Sequence, residues 1–159
     1  MSALDQIRDA ELRELYDYWL AQHRDGRLPR RGDIDPLEVP RLLKSLALLE
    51  VVGDAEDFVF VLAGSRIEEV HGRSLKGVTL GELRKDREQT PSAGDYVAAA
   101  RSGEPQYQQT NLKEYGKEHW ACRRLILPLS GDGERVDCLL LGAVCSSVGD
   151  PGHKAWLET

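Results

Sequence analysis

The residue types that carry most enzyme chemistry are present in this chain, but not at working spacings. His23, His71, His119 and His153 are scattered, and none has another histidine three or four positions on. No Cys/His cluster accompanies them, so the spacing predicts no metal site. Gly64, Gly72 and Gly77 match neither a phosphate-binding loop nor a dinucleotide fingerprint and read as turn and helix-end residues. Ser65, Ser74, Ser130, Ser146 and Ser147 lack the G-x-S-x-G setting of an activated nucleophile. Glu68 and Glu69 read as the solvated face of a short helix rather than as an acid/base pair. What remains is a set on the expected inner faces: Tyr96 on a helix, with Tyr107, Trp120, Cys122 and Arg124 on strands. These are the candidate lining of a small-molecule pocket. A buried Arg124 would need an internal carboxylate or an anionic ligand, because an unpaired buried charge is costly. The competing reading is that they fill the core or lie on the outer face of the sheet. Register decides, since a slip of one residue exchanges the faces.

The elements that must position these residues follow from pattern. Leu12, Leu15, Tyr16 and Trp19, with Leu20, form one apolar stripe on a helix expected over Asp5 to Arg24. Either the stripe packs on its own domain, or Leu12, Leu15, Tyr16 and Trp19 form a dimer or partner face. Asp35, Pro36 and Glu38 mark a second helix start, shortened or kinked at Pro40. Arg24, Arg27, Arg30 and Arg31 make a small basic cluster, read as a loop paired with Asp33 and Asp35 rather than as a phosphate site. Strands are expected at Leu46–Val52 and Phe58–Ala63, joined as a hairpin through Gly53-Asp54. Gly64 breaks the second, Ser65 can cap a helix, and Gly72 can close it. Arg84 to Gln89 reads as a charged loop and Pro91 to Ala100 as a helix capped by Thr90. Three strands complete the pattern: Gln106–Leu112, turned at Gly116; Glu118–Leu129, with Pro128 marking an end or an edge; and Val136–Cys145 after the Ser130–Gly133 turn. The class is α+β, a five-stranded antiparallel sheet with helices inserted after the second strand, on one face, and an N-terminal helical extension. The corresponding division is residues 1–44, 45–148 and a tail at 149–159.

Composition narrows the setting. A chain of 159 residues is one domain's worth and can bury a full core. A net charge of −6 repels phosphate backbones and argues against nucleic-acid binding. No apolar run reaches membrane-helix length, and no signal peptide is visible, so a cytoplasmic protein is expected. Cys122, Cys138 and Cys145 are odd in number, form no C-x-x-C pair and fall in apolar runs. They are expected to be buried, reduced thiols.

Three stretches, LPRRGDIDPLEVPRLL (Leu28–Leu43), FVFVLAGSRIEEVHGRSLKGVTLGEL (Phe58–Leu83) and RRLILPLSGDGERVDCLLLGAV (Arg123–Val144), together resemble a PAS domain. The resemblance is to short, stand-alone PAS-like proteins of bacteria, seen especially in alphaproteobacteria. It implies the PAS sheet, a cavity between sheet and helices, and a role in sensing or signalling. It supplies no cofactor: the helix from Pro91 to Arg101 has no His for haem, and Arg66 to Gly77 has no Cys for a flavin or a thioester chromophore. The expected protein is therefore a non-enzymatic sensory or interaction module, acting through a small ligand, a signalling partner or a homodimer. The alternative is a small enzyme similar to the steroid-isomerase-like folds, for which Tyr96 with Asp95 is the only nearby pair.

Overall fold

The computed structural model describes residues 7–86, 93–111 and 120–147. Its centre is one five-stranded antiparallel sheet. The strands are β1 (Leu46–Val52), β2 (Asp57–Ala63), β3 (Gln106–Asn111), β4 (Trp120–Leu129) and β5 (Cys138–Ser147), in the spatial order β2-β1-β5-β4-β3. The β1–β2 hairpin forms as the alternation predicts, with a bulge at Leu48/Leu49. Among the described residues four α-helices accompany the sheet: α1 (Ala10–Ala21), α2 (Ser65–His71), α3 (Leu80–Asp86) and α4 (Ala93–Ser102).

Several boundaries shift for local reasons. Helix α1 is shorter than expected, with Asp9 at its N-cap and Gln22 at its C-cap. Asp25 (φ 52°) and Gly26 (φ 74°) then turn the chain so that Arg24 pairs with Arg27. The Asp35 carboxylate accepts from the Leu37 N–H at 3.0 Å and starts a 3-10 turn, Pro36–Glu38. A second 3-10 turn, Pro40–Ser45, follows the break at Val39. Gly64, not Ser65, occupies the N-cap of α2, and Gly72 closes that helix in the left-handed region at φ 70°. Arg84, Lys85 and Asp86 continue α3 instead of opening a loop, and α4 runs on to Ser102. The capping role assigned to Thr90 and the turn at Gly116 lie outside the described residues.

Strand alternation sorts the core into two layers. On the inner face Ala47, Leu49, Phe58, Phe60, Ile126, Leu139 and Leu141 pack with Ile67, Leu75, Leu80, Leu83 and Tyr96 from the α2–α4 side. On the outer face Leu46, Leu48, Leu125, Leu127, Leu129 and Leu140 pack with Leu12, Leu15 and Trp19 of α1 and with Ile34, Val39 and Leu42. Helical segments thus cover both faces, not one. The N-terminal helix has an apolar stripe to bury, and the outward residues of β4 and β5 are Leu rather than polar.

The seat of α1 is Gly142. A Cβ there would overlap Leu15 Cδ2 and come within 3.1 Å of Leu12 Cδ2. The helix is also held by polar ties. Trp19 Nε1 donates to the Pro128 carbonyl at 3.0 Å. Tyr18 Oη donates to Glu38 Oε1 at 2.9 Å and accepts from the Asp35 N–H at 2.9 Å. Arg41 pairs with Glu14. Pro128 sits in an interior strand, but β3 pairs with β4 only as far as Ile126, so the missing N–H falls past the end of that ladder.

The β2 flank of the sheet is clipped by its own chain. Phe60 N–H donates to the Val78 carbonyl at 2.9 Å, and Gly77 N–H donates to the Phe60 carbonyl at 2.7 Å. Gly77 makes this bend at φ 84°.

Candidate functional site

The sequence-predicted pocket residues are divided by the sheet. Tyr96, Cys122 and Arg124 belong to the inner side, because Cys122 and Arg124 share the parity of Ile126 on β4. Tyr107 faces the other way: it is opposite Leu125 in register and packs with the outer cluster. The side chain of Trp120 lies outside the described residues.

On the inner side Tyr96 is buried, with its ring centroid 5.9 Å from that of Phe58. Burial raises its hydroxyl above the usual tyrosine value, and the Arg124 guanidinium partly offsets that rise. Gln108 is opposite Arg124 on the neighbouring strand and is itself buried. Asp95, the other half of the acid/phenol pair, lies in the first turn of α4 and is partly exposed.

On the outer side Arg123 and Asp9 form a buried ion pair at 3.2 Å, with side chains 4% and 10% exposed. Tyr107 lies against it. Burial raises the Tyr107 hydroxyl, while Arg123 pulls it down by charge and by a hydrogen bond. This cluster joins the N-cap of α1 to β4.

The predicted pairing within the basic loop holds in part. Arg24 and Arg30 approach Asp33 at 3.3 and 3.8 Å, but Arg31 pairs with Glu50 at 2.8 Å rather than with Asp35. Arg30, Arg31, Glu50, Asp137 and Cys138 border a shallow hollow of about 470 Å³.

The cysteines differ from expectation. Cys122 and Cys145 are joined by a disulfide, and Cys138 alone is free. The reason is register: Cys122 lies directly opposite Cys145 across β4 and β5, a pairing that no local pattern discloses. Cys138 is a buried thiol that burial pushes up to about 11, so it stays protonated at neutral pH.

Helix α1 places its stripe in two settings. Leu12 and Leu15 are spent on the sheet. Tyr16 and Trp19 reach further and line an open groove of about 860 Å³ at one end of the sheet. The groove is enclosed by the C-terminal ends of α1 and α4, the β1–β2 turn and the β4–β5 loop. One wall is a ladder of rings: Tyr16 and Trp19 with centroids 5.9 Å apart, then Trp19 and His23 at 4.4 Å, edge to face. His23 Nδ1 lies 3.0 Å from the Trp19 carbonyl. Val51, Ala55 and Val136 add apolar surface. Two guanidiniums are pinned at the rim by backbone carbonyls: Arg135 donates to Gly53 at 2.7 Å and Arg101 to Asp54 at 3.4 Å. Asp54, Glu104 and Glu134 bring carboxylates to the same rim.

The β4–β5 loop is preorganised. The Asp132 carboxylate accepts from the Glu134 and Arg135 N–H groups, both at 2.8 Å, and these bonds hold it below the usual carboxylate value. The sequence reading named Tyr16 and Trp19 for docking but missed the groove. Its other walls come from segments far apart in the chain, and the available signals were the turn residues at Gly53 and Gly133.

The family model described as PAS domain matches residues 7–144. The chain therefore belongs to the PAS domain family, and the match takes in α1 as well as the sheet. No curated protein matches it. Among the described residues no helix is long and apolar enough to cross a membrane, and no group of three or more metal-ligating side chains comes together.

Proposed function

We propose that this chain is a non-enzymatic PAS-type sensory and interaction module of bacterial signalling, working in the cytoplasm, and that the groove at the end of the sheet is where it takes a small molecule. The observation that carries this reading is the groove itself. Its volume of about 860 Å³ falls in the range of small-molecule sites, roughly 300–1,000 Å³. It combines an aromatic wall, apolar surface and a few fixed polar groups, the usual composition of such a site. The ligand class that suits it has a ring-sized apolar body and charged ends, one end met by Arg101 or Arg135 and the other by the rim carboxylates. Because the groove borders α1, α4 and both hairpin turns, an occupant touches four elements at once. A signalling protein or a second copy of the chain would read that change. The inner-side set of Tyr96, Cys122 and Arg124 then serves the core and its electrostatics, with Tyr107 supporting the outer ion pair.

The test is native against denaturing mass spectrometry of freshly purified protein. Extra mass in the native spectrum that vanishes on denaturation, and is lost in Arg101→Ala/Arg135→Ala, is the expected result. A bare native mass, together with no thermal shift across a library of small aromatic acids and amines, would sink the ligand reading. A native mass at twice that of the chain would identify a second copy as the receiver.

A further inference from the structure

The bridge between Cys122 and Cys145 has no part in the groove and sits at a different place in the fold. The two residues are directly opposed on β4 and β5, which are already joined by ten paired positions from Trp120↔Ser147 to Leu129↔Cys138. The ladder holds the strands together with or without the bond. Cys122 is fully buried, whereas Cys145 is partly exposed. With Val70 near the end of α2 they form a small cluster apart from the main inner core. Arg124 lies two residues along the same face of β4 from Cys122. The third cysteine is on the opposite face, buried and protonated at neutral pH, so it does not compete in exchange.

We propose that Cys122–Cys145 is a reversible redox site, opened by a dithiol reductant and closed by a disulfide oxidant, and that its state sets how α2 packs on the sheet. A thiolate of the reductant attacks the sulfur of Cys145, the more exposed of the two residues. A mixed disulfide forms there, the Cys122–Cys145 bond breaks, and Cys122 leaves as a thiolate before taking up a proton. The second thiol of the reductant then attacks its own mixed-disulfide sulfur. Cys145 is released, takes up a proton, and the reductant departs as a disulfide. Two electrons pass to the protein, and the reverse exchange with an oxidised dithiol or glutathione restores the bridge. Two non-bonded thiols need more room than the bridge they replace, and the space above Cys122 belongs to Val70. Helix α2 must therefore shift or loosen. It is short, closed by Gly72, and tied onward by the Glu68 carboxylate, which accepts from the Leu75 N–H at 2.7 Å. Only the cytoplasmic setting is taken from the proposed function: in that compartment a lasting structural bridge is rare and a transient, redox-sensing one is the usual kind.

The whole chain, free of added ligand, is equilibrated in dithiothreitol and in glutathione buffers of graded ratio, then alkylated after denaturation and weighed. Oxidised protein should take one label, at Cys138, and reduced protein three. Hydrogen exchange on the same samples should show the α2 amides exchanging about tenfold faster when reduced, with the β4–β5 ladder unchanged. Cys122→Ser/Cys145→Ser should match the reduced state, and Cys138→Ala should leave the response intact. If the double variant does not fold, reduced wild-type protein carries the comparison. A bridge that opens only with global unfolding, one that never forms in oxidised glutathione, or equal α2 exchange in both states would each overturn the proposal. Because no ligand is involved, these results are independent of whether the groove is a ligand site.

Discussion

The two faces of the sheet are both apolar, but they are closed by different means. On the outer face one helix is locked by shape and charge together: Leu12 and Leu15 over Gly142, the Trp19 indole on the Pro128 carbonyl, and the Arg123–Asp9 pair at the helix N-cap. On the inner face α2, α3 and α4 are shorter than α1 and each packs on the sheet through a few side chains. The groups there that change state with conditions are a buried phenol and a disulfide. The outer face behaves as a foundation. The inner face is where a change of chemical state reaches secondary structure.

That contrast can be broken most forcefully at Arg123. Arg123→Ala leaves Asp9 buried without its counter-charge, and a loss of about 4 kcal/mol is expected in urea unfolding. A loss under 1 kcal/mol would mean that the pair is not a lock. Next in size is Gly142→Val, which forces methyl groups into Leu15 and Leu12. Overpacking of this kind costs about 2 kcal/mol, and α1 amides should lose more exchange protection than α2 amides. If α2 loosens first, the two faces are not independent. The smallest effect is on the inner face and appears in alkali. The folded protein holds the Tyr96 hydroxyl above its ordinary value of 10.0. The associated stability is fully present below pH 10 and is lost as pH rises through the folded value. Tyr96→Phe should flatten the fall of the urea midpoint above pH 10. Cys138, which ionises at 9.0 unfolded and about 11 folded, contributes a fall of the same sign between those values and remains in the variant as an internal reference.

Much of the frame was legible because its signals are local. The alternation through Phe58 and Phe60, the Gly53-Asp54 and Ser130–Gly133 turns and the closing Gly72 depend on neighbours in sequence. The parity of Cys122 and Arg124 was legible for the same reason. What was not legible depends on register between distant strands. Tyr107 changes face because it falls opposite Leu125, and Cys122 meets Cys145 because β4 and β5 pair with one offset out of many. The fate of α1 was ambiguous, since an apolar stripe suits a partner as well as a sheet. The overlooked clue was Gly142 inside LLLGAV. A glycine in the middle of a buried strand marks a place where another element comes close.

The clip that Gly77 and Val78 place on β2 also bears on how the protein behaves when crowded. An open sheet invites other chains to add strands, and growth without limit requires two receptive flanks on every molecule. Here one flank has its hydrogen bonds answered at Phe60 by the chain's own backbone. Strand-to-strand addition on that side must first displace Gly77 and Val78 from Phe60. A molecule that joins another through its other flank therefore meets that added barrier before it can take on a third, which favours stopping at a pair over growing into a fibre.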